Sequence, residues 1–346
     1  MKYLFILGRN IELSIAEIKS YFELTNNKIL NKHFNQKGFL IELERELKKG
    51  EIDNLGGTIA IGQVLSNSVD DLDKIEIYLG EKNNISYSIW NMSEKEEILR
   101  EYLKKRFKKE KLKAVFKYQE NSPKVDEAFF SFEENYGKII QKCDYDILEK
   151  RDMGKPIRRE SLAISPRLAK TMINLSQVKE SGTLVDCFCG IGVILQEALL
   201  QNKKVIGIDR DKDAIKGASK NLEWFGFSKD QYELINFDSK KVKISKANVL
   251  VTEPDLGEIL RKISSKTKAK ETLQEFEDLM IGVLKNLKEN ISGRIVFTSP
   301  LIKTPEKRIA CNIDRILENT GLKLVLGGFD DFRDKQIVGR RIFVLE

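Results

Sequence analysis

The segment Leu184-Val185-Asp186-Cys187-Phe188-Cys189-Gly190-Ile191-Gly192, which runs straight into Val193-Ile194-Leu195, limits what this chain can fold into more than any other feature. An apolar stretch that ends in an acid, passes two glycines and opens into an apolar helix reads as a buried strand, a tight turn and a helix N-terminus. Such a unit presents backbone N–H groups and a carboxylate at the carboxyl end of a parallel strand, where α/β sheets bind ligands. The residues that follow repeat the alternation. Strands are expected at 204–208, 233–236, 249–252 and 294–298, helices at 192–201, 211–225 and 272–287, and a closing antiparallel pair at 322–326 and 337–345. This pattern specifies a parallel sheet covered by helices.

The chain has 346 residues, more than one ordinary domain needs. Ahead of the alternating region, residues 1–65 read as a small α+β module. It has a strand at Tyr3 to Leu7, a helix through Phe22 opened by a Ser14/Glu17 capping box, and strands at 39–43 and 58–65 after Gly56-Gly57. Residues 66–148 read as a second module. Its strands are expected at 85–90, 114–118 and 137–143, with a Ser93/Glu96 capping box opening a helix to Phe107 and a further helix at 125–131. Residues 149–164 are charged, carry Gly154-Lys155-Pro156 and show no clean period, which marks a linker before a helix opened by Ser165-Pro166 and the domain at 165–346. Trp90 and Trp224 read as core anchors.

Composition excludes several classes. No apolar run approaches the roughly 18 residues that cross a bilayer, and the opening residues lack a signal-peptide cleavage pattern, so the chain is expected to be cytoplasmic with no membrane partner. Four cysteines and one histidine give no zinc-ligand spacing, and no metal is expected. Cys187 and Cys189 are expected to face one side of a strand as a buried, reduced pair. The net charge of +7 permits a nucleic-acid partner without requiring one. The densest basic run is Lys104 to Lys113.

The strand ends carry the chemistry. Asp186 suits a cationic group such as the amino group of a methionine moiety. Asp209 follows the second strand, roughly 20 residues further on, where an acid accepts hydrogen bonds from ribose hydroxyls. A dinucleotide would use the same acid, but a full G-x-G-x-x-G is missing, since Leu195 stands at the third glycine position. Asp209 could also be a helix N-cap. Asp238, after the third strand, is a candidate partner for an adenine amino group or a solvated loop acid. After the fourth strand comes Thr252-Glu253-Pro254-Asp255-Leu256-Gly257. Glu253 and the carbonyls near Pro254 could accept the hydrogens of an amine, so that its lone pair faces a methyl donor. Such a reaction needs positioning more than general-base strength.

Together these residues resemble the THUMP-containing tRNA guanine-N2 methyltransferases that modify guanosine 10. The resemblance extends over Leu4 to Ile18, Gly56-Gly57-Thr58, Gly154 to Arg159, Ile164 to Ala169, Ile173 to Leu175, Asp186 to Gly190, Asp209 to Phe225 and Gln336 to Glu346. It implies a ferredoxin-like segment, a THUMP RNA-binding domain and a Rossmann-like methyltransferase domain that uses S-adenosylmethionine. It places the cofactor on Asp186, Phe188, Gly190, Ile191, Asp209 and Asp238, and catalysis on Glu253, Pro254 and Asp255. It implies tRNA as partner and, for some members, a small zinc-binding activator protein. Candidate RNA contacts are Lys104, Lys105, Arg106, Lys108, Lys155, Arg158, Arg159 and Arg340. Two departures fall at the chemistry. The family's D-P-F-C-G-T-G-G loop has Cys187, Ile191 and Val193 in place of Pro, Thr and Gly, and its D-P-P-Y motif is Glu253-Pro254-Asp255-Leu256 here. Leu256 lacks an aromatic face, which elsewhere contributes about 1–3 kcal/mol per stacked base. A catalytically silent RNA-binding member of the family is therefore the second reading.

Overall fold

The computed structural model describes residues 1–35, 38–93, 95–118, 124–158, 164–254 and 263–346. Arg159 and Asp255 from the candidate sets lie outside the described residues. Two units emerge, and neither is continuous in sequence. One comprises Met1–Ile11, Asn26–Asp53 and Thr58–Asp144; the other comprises Glu12–Thr25, Asn54–Gly57 and Tyr145–Glu346. The second unit thus includes nearly all of helix α1 (Ile11–Leu24).

The first unit holds β1 (Lys2–Leu7), β2 (Ile29–Phe34), β3 (Gly38–Leu43), β4 (Thr58–Ser66), β5 (Asn84–Asn91), β6 (Lys113–Phe116), β7 (Glu127–Phe132) and β8 (Asn135–Lys142). They form one sheet in the order β2-β3-β1-β4-β8-β7-β5-β6. Strands from 1–65 and 66–148 share this sheet through the antiparallel β4–β8 pairing. Helix α2 (Glu96–Lys109) buries Leu99, Leu103 and Phe107, spaced by four on one face, against Tyr87, Ile89 and Phe129. Two expectations change here. The helix expected at 125–131 is strand β7, because Ala128-Phe129-Phe130-Ser131-Phe132 is buried on both faces and shows no alternation to distinguish strand from helix. Ser93 does not cap α2, whose N-cap is Lys95 and carries no side-chain cap bond.

The second unit contains α3 (Tyr145–Gly154), α4 (Pro166–Ser176), β9 (Thr183–Asp186), α5 (Val193–Leu200), β10 (Lys204–Asp209), α6 (Lys212–Trp224), β11 (Tyr232–Asn236), β12 (Val249–Thr252), α7 (Lys266–Leu287), β13 (Ile295–Lys303), β14 (Arg308–Ile309), α8 (Ile313–Thr320), β15 (Leu324–Asp331) and β16 (Val338–Leu345). The sheet order is β11-β10-β9-β12-β13-β16-β15, with β14 paired to β13. β11 to β13 are parallel, and β16 is antiparallel to both of its neighbours. The order reverses at β9, so a crevice opens between the carboxyl ends of β9 and β12. This is the expected α/β fold of a Rossmann-like methyltransferase domain. Alternate residues of the central strands face opposite sides. Leu184, Val249 and Val251 pack among α4 and α5 residues, while Val185 and Leu250 pack against Ala269, Phe276 and Met280 of α7. Cys189 joins the first cluster and Cys187 the second, so the two thiols lie on opposite faces. The strand ends at Asp186, and its alternation does not carry through the turn. Ser165 caps α4 with Pro166 at its first position. Part of the expected linker is helical, as α3 runs to Gly154. Trp224 is half-exposed and not a core anchor. No helix among the described residues is long and apolar enough to cross a membrane.

A buried carboxylate ties α1 to its unit. Helix α1 starts at Ile11, so Ser14 and Glu17 lie inside it rather than forming a capping box. Glu17 Oε1 accepts from Gly56 N (2.7 Å) and Asn174 Nδ2 (2.8 Å), and Oε2 accepts from Gly57 N (2.7 Å). The Ser14 hydroxyl donates to Gly57 O (3.1 Å). The turn must pass close to α4, since a Cβ on Gly56 would come within 2.0 Å of Arg167 O. Leaving several buried donors unpaired is expensive. We expect Glu17→Ala to cost on the order of 3 kcal/mol in denaturant unfolding, with Glu17→Gln costing less because its single carbonyl oxygen keeps part of the set.

Candidate active site

The crevice at the switch point is lined from three strand ends. Asp186 closes β9 and is buried. Its Oδ1 accepts from Thr252 Oγ1 (2.7 Å) on β12 and from Phe188 N (3.2 Å). The turn beyond it is shaped by Gly190, at φ +51°, and by Gly192, at φ +86°, which is the N-cap of α5. Both are backbone states that favour glycine. A Cβ on Gly190 would meet nothing within 4 Å, so the space above the turn is open. Asp209 ends β10. Its Oδ2 accepts from Gly190 N (2.9 Å) and its Oδ1 from Asp211 N (2.9 Å). The cap of α6 is Asp211, which accepts from Asp213 N and Ala214 N. Asp209 is thereby a brace between two strand ends, and a carboxylate retains lone pairs for further donors. Phe188 is partly exposed at the turn, and Ile191 is buried.

Glu253 follows β12, and its side chain is 9% exposed. Burial raises its pKa, Asp331 adds to the rise, and Arg340 opposes it. The Arg340 Nε donates to Glu253 Oε1, so this guanidinium, expected as an RNA contact, lies against the candidate catalytic acid. Pro254 is buried behind it. Asp186, Asp209 and Glu253 gather at one sheet end, where the last two both raise the pKa of the first. Asp238 stands apart in role: its Oδ1 accepts from Lys240 N (2.9 Å) in a loop turn.

Three polar residues absent from the sequence-based set hold this geometry. Thr252 joins β12 to β9 through Asp186. The fully buried Asn221 donates to Ile157 O (3.1 Å) and Ile191 O (3.0 Å) and accepts from Ile157 N (3.0 Å), which pins the 156–158 segment beside the glycine turn. Asn236 donates to the carbonyls of Asp209 (2.9 Å) and Arg210 (3.0 Å). A polar residue inside an otherwise apolar strand or helix face is the signal that could have found them.

The basic candidates divide. Lys104, Lys105 and Lys108 are exposed on α2. Arg106 instead bonds Leu72 O (3.1 Å) and Ile75 O (3.2 Å) and pairs with Glu110, which makes it part of the framework. Lys155 is buried and pairs with Asp152 (2.6 Å). Arg158 lies at the surface.

Burial raises the Asp186 carboxyl to about 7, helped by Asp209 and Glu253 and opposed by its hydrogen-bond donors. A folded-state pKa above the unfolded value near 4 favours the fold at acid pH, and that stability is lost as pH rises through about 7. The melting temperature of the unliganded protein should therefore fall between about pH 4 and 7 and level off above that, and Asp186→Asn should flatten the fall. An equal fall in both proteins would place the titration elsewhere.

A family model described as "RMKL-like, methyltransferase domain" matches residues 158–315. A second, described as "DNA methylase", matches residues 66–220. The tRNA (guanine(10)-N2)-dimethyltransferase of Methanothermobacter thermautotrophicus is 32% identical over 139 residues, which cover 40% of this chain and 39% of that protein. The match thus spans well under two thirds of that relative's length. A protein of Methanothermococcus thermolithotrophicus, named probable tRNA (guanine(10)-N2)-dimethyltransferase, is 31% identical over 38% of this chain and 79% of its own length. Among solved structures, TrmN from Thermus thermophilus superposes with a TM-score of 0.55 at 16% identity, covering 100% of this chain and 99% of the other, a likeness of fold. With the buried acid, the glycine turn and the switch-point crevice already in place, these matches establish that the chain belongs to the tRNA (guanine(10)-N2)-dimethyltransferase family.

Proposed function

We propose that this chain is an S-adenosylmethionine-dependent tRNA methyltransferase acting on the exocyclic N2 amine of a guanosine, at position 10 by kinship. The observation that carries the reading is the convergence of Asp186, Asp209 and Glu253 on one crevice at the strand-order reversal. The crevice suits the cofactor. Open space lies above Gly190, a buried acid can pair with a cationic amino group, and Asp209 stands at the strand end where a ribose is held. When bound, the cofactor supplies an electrophilic methyl group on a sulfonium.

The residues of the chain do the rest. Asp186, ionised by a cationic amino group placed beside it, would orient the methionine end. Asp209 accepts from ribose hydroxyls with the lone pairs left over from Gly190 N and Asp211 N. Asp238 is proposed for the adenine amine, and Phe188 and Ile191 for the apolar walls. Glu253 accepts one hydrogen of the guanine amine, which turns the nitrogen lone pair toward the methyl group. With the cofactor bound, the methyl group would pass to that nitrogen, and the amine proton would be released to solvent afterwards. Positioning is the main contribution of the site.

The first unit is proposed as the RNA-binding part of THUMP type, with Lys104, Lys105 and Lys108 meeting phosphates. Arg158 and Arg159 are proposed to extend that contact. A small zinc-binding activator protein is a further partner to be sought, and the cytoplasm is the compartment the reading requires.

Labelled S-adenosylmethionine with unmodified tRNA, followed by nucleoside mass spectrometry, tests the proposal. Methylated or dimethylated guanosine is expected. Glu253→Ala should lower kcat by roughly 10–100-fold, the value of a lost hydrogen bond to a charged group, with cofactor affinity unchanged. Cofactor binding without transfer to any tRNA would overturn it in favour of a silent RNA-binding protein.

A further inference from the structure

Glu253 belongs to a buried charge cluster built from four elements. The Arg340 Nε on β16 donates to its Oε1, and the two side chains are 15% and 9% exposed. Asp331 on β15 is the cross-strand partner of Arg340, and its charge acts on both members of the pair. The Glu253 charge in turn raises the pKa of Asp186 at the end of β9. The adjacent Arg341 is engaged elsewhere, by Asp330 at 2.8 Å, so the two neighbouring arginines serve different carboxylates. Among the described residues, Arg340 is the cation paired with Glu253, and Asp331 is the second acid acting on it.

We propose that Arg340 is a positioning residue of the transfer reaction: it holds Glu253 in place and ionised, so that the carboxylate accepts a hydrogen from the target amine. This rests on the reading of the site as an amine methyltransferase. A glutamate side chain has one more rotatable bond than an aspartate and needs a tether to present an oxygen reproducibly. The planar guanidinium, itself fixed beside Asp331, provides one. The charges around Glu253 act in the same direction. Glu253 is desolvated and lies near Asp331, and both effects favour its neutral acid. A protonated Glu253 would offer an O–H to the amine lone pair, the orbital that must attack. Arg340 opposes that protonation. It thereby acts through Glu253, and its burial leaves it little surface for a phosphate.

The test is kcat against pH at saturating S-adenosylmethionine and tRNA for wild type, Arg340→Lys, Arg340→Met, Glu253→Gln and the neutral pair Arg340→Met/Glu253→Gln. The rise of kcat with pH should move to higher pH by about one unit or more in Arg340→Met and return toward wild type in Arg340→Lys. The double variant should be no slower than Glu253→Gln alone, since the arginine has nothing left to position. A raised KM for tRNA with an unmoved pH profile would make Arg340 an RNA contact and overturn the proposal. A lowered melting temperature with an unmoved profile would overturn it as merely structural. Should Arg340→Met fail to fold, the Lys variant and the neutral pair carry the comparison. A carbon-13 titration of the Glu253 carboxyl in wild type and Arg340→Lys reports on the pairing without turnover. If wild type transfers no methyl group, the parent reading fails, while this titration still decides whether Arg340 governs Glu253.

Discussion

The hydrogen bond from Thr252 to the buried Asp186 joins the two strands that part at the switch point, and the rest of the site is arranged around it. β9 and β12 are neighbours in the sheet, but the chain leaves β9 toward β10 and returns to β12 only after β11. Any ligand in the crevice therefore touches residues far apart in sequence. The Asp186–Thr252 contact fixes their spacing. From it follow the position of Glu253, one residue beyond Thr252, and of the glycine turn, four residues beyond Asp186. Asp209 secures the other side of the turn through Gly190 N.

Such a site concentrates negative charge in a poorly hydrated place. Asp186 and Glu253 are both buried carboxylates whose neighbours include further acids. An arrangement like this is costly for an unliganded protein and becomes favourable when cationic or donor groups arrive. Arg340 offsets the cost on the Glu253 side, and the cationic end of a cofactor would offset it on the Asp186 side. The same logic holds away from the crevice. Glu17 is buried but meets three donors, and Glu197 is buried beside Arg151 at 2.7 Å.

Much of the second unit was legible in the sequence. β9, β10 and β12 are short apolar runs closed by an acid or a polar turn, and α6 and α7 between the strands keep a helical period. Asp186, Asp209 and Glu253 stand out as candidates because they sit at the ends of such runs. The failures have a common cause in contacts between residues distant in the chain. Ser14 and Glu17 have the spacing of a capping box, and only the approach of Gly56, Gly57 and Asn174 shows their use inside α1. Arg340 looked like a phosphate contact until its pairing with Glu253, 87 positions away, was visible. Arg106 and Lys155 are RNA-contact candidates by charge and by the family resemblance, yet both side chains are engaged in local framework. β7 was read as a helix because an aromatic strand buried on both faces carries no alternation.

The central claim is that the Asp186–Asp209 crevice holds S-adenosylmethionine. Calorimetric titration of the intact protein with S-adenosylmethionine and, separately, with NAD measures it directly. The account predicts saturable one-to-one binding of S-adenosylmethionine and none of NAD at the same concentrations. Binding of NAD in preference, or of neither, would contradict it.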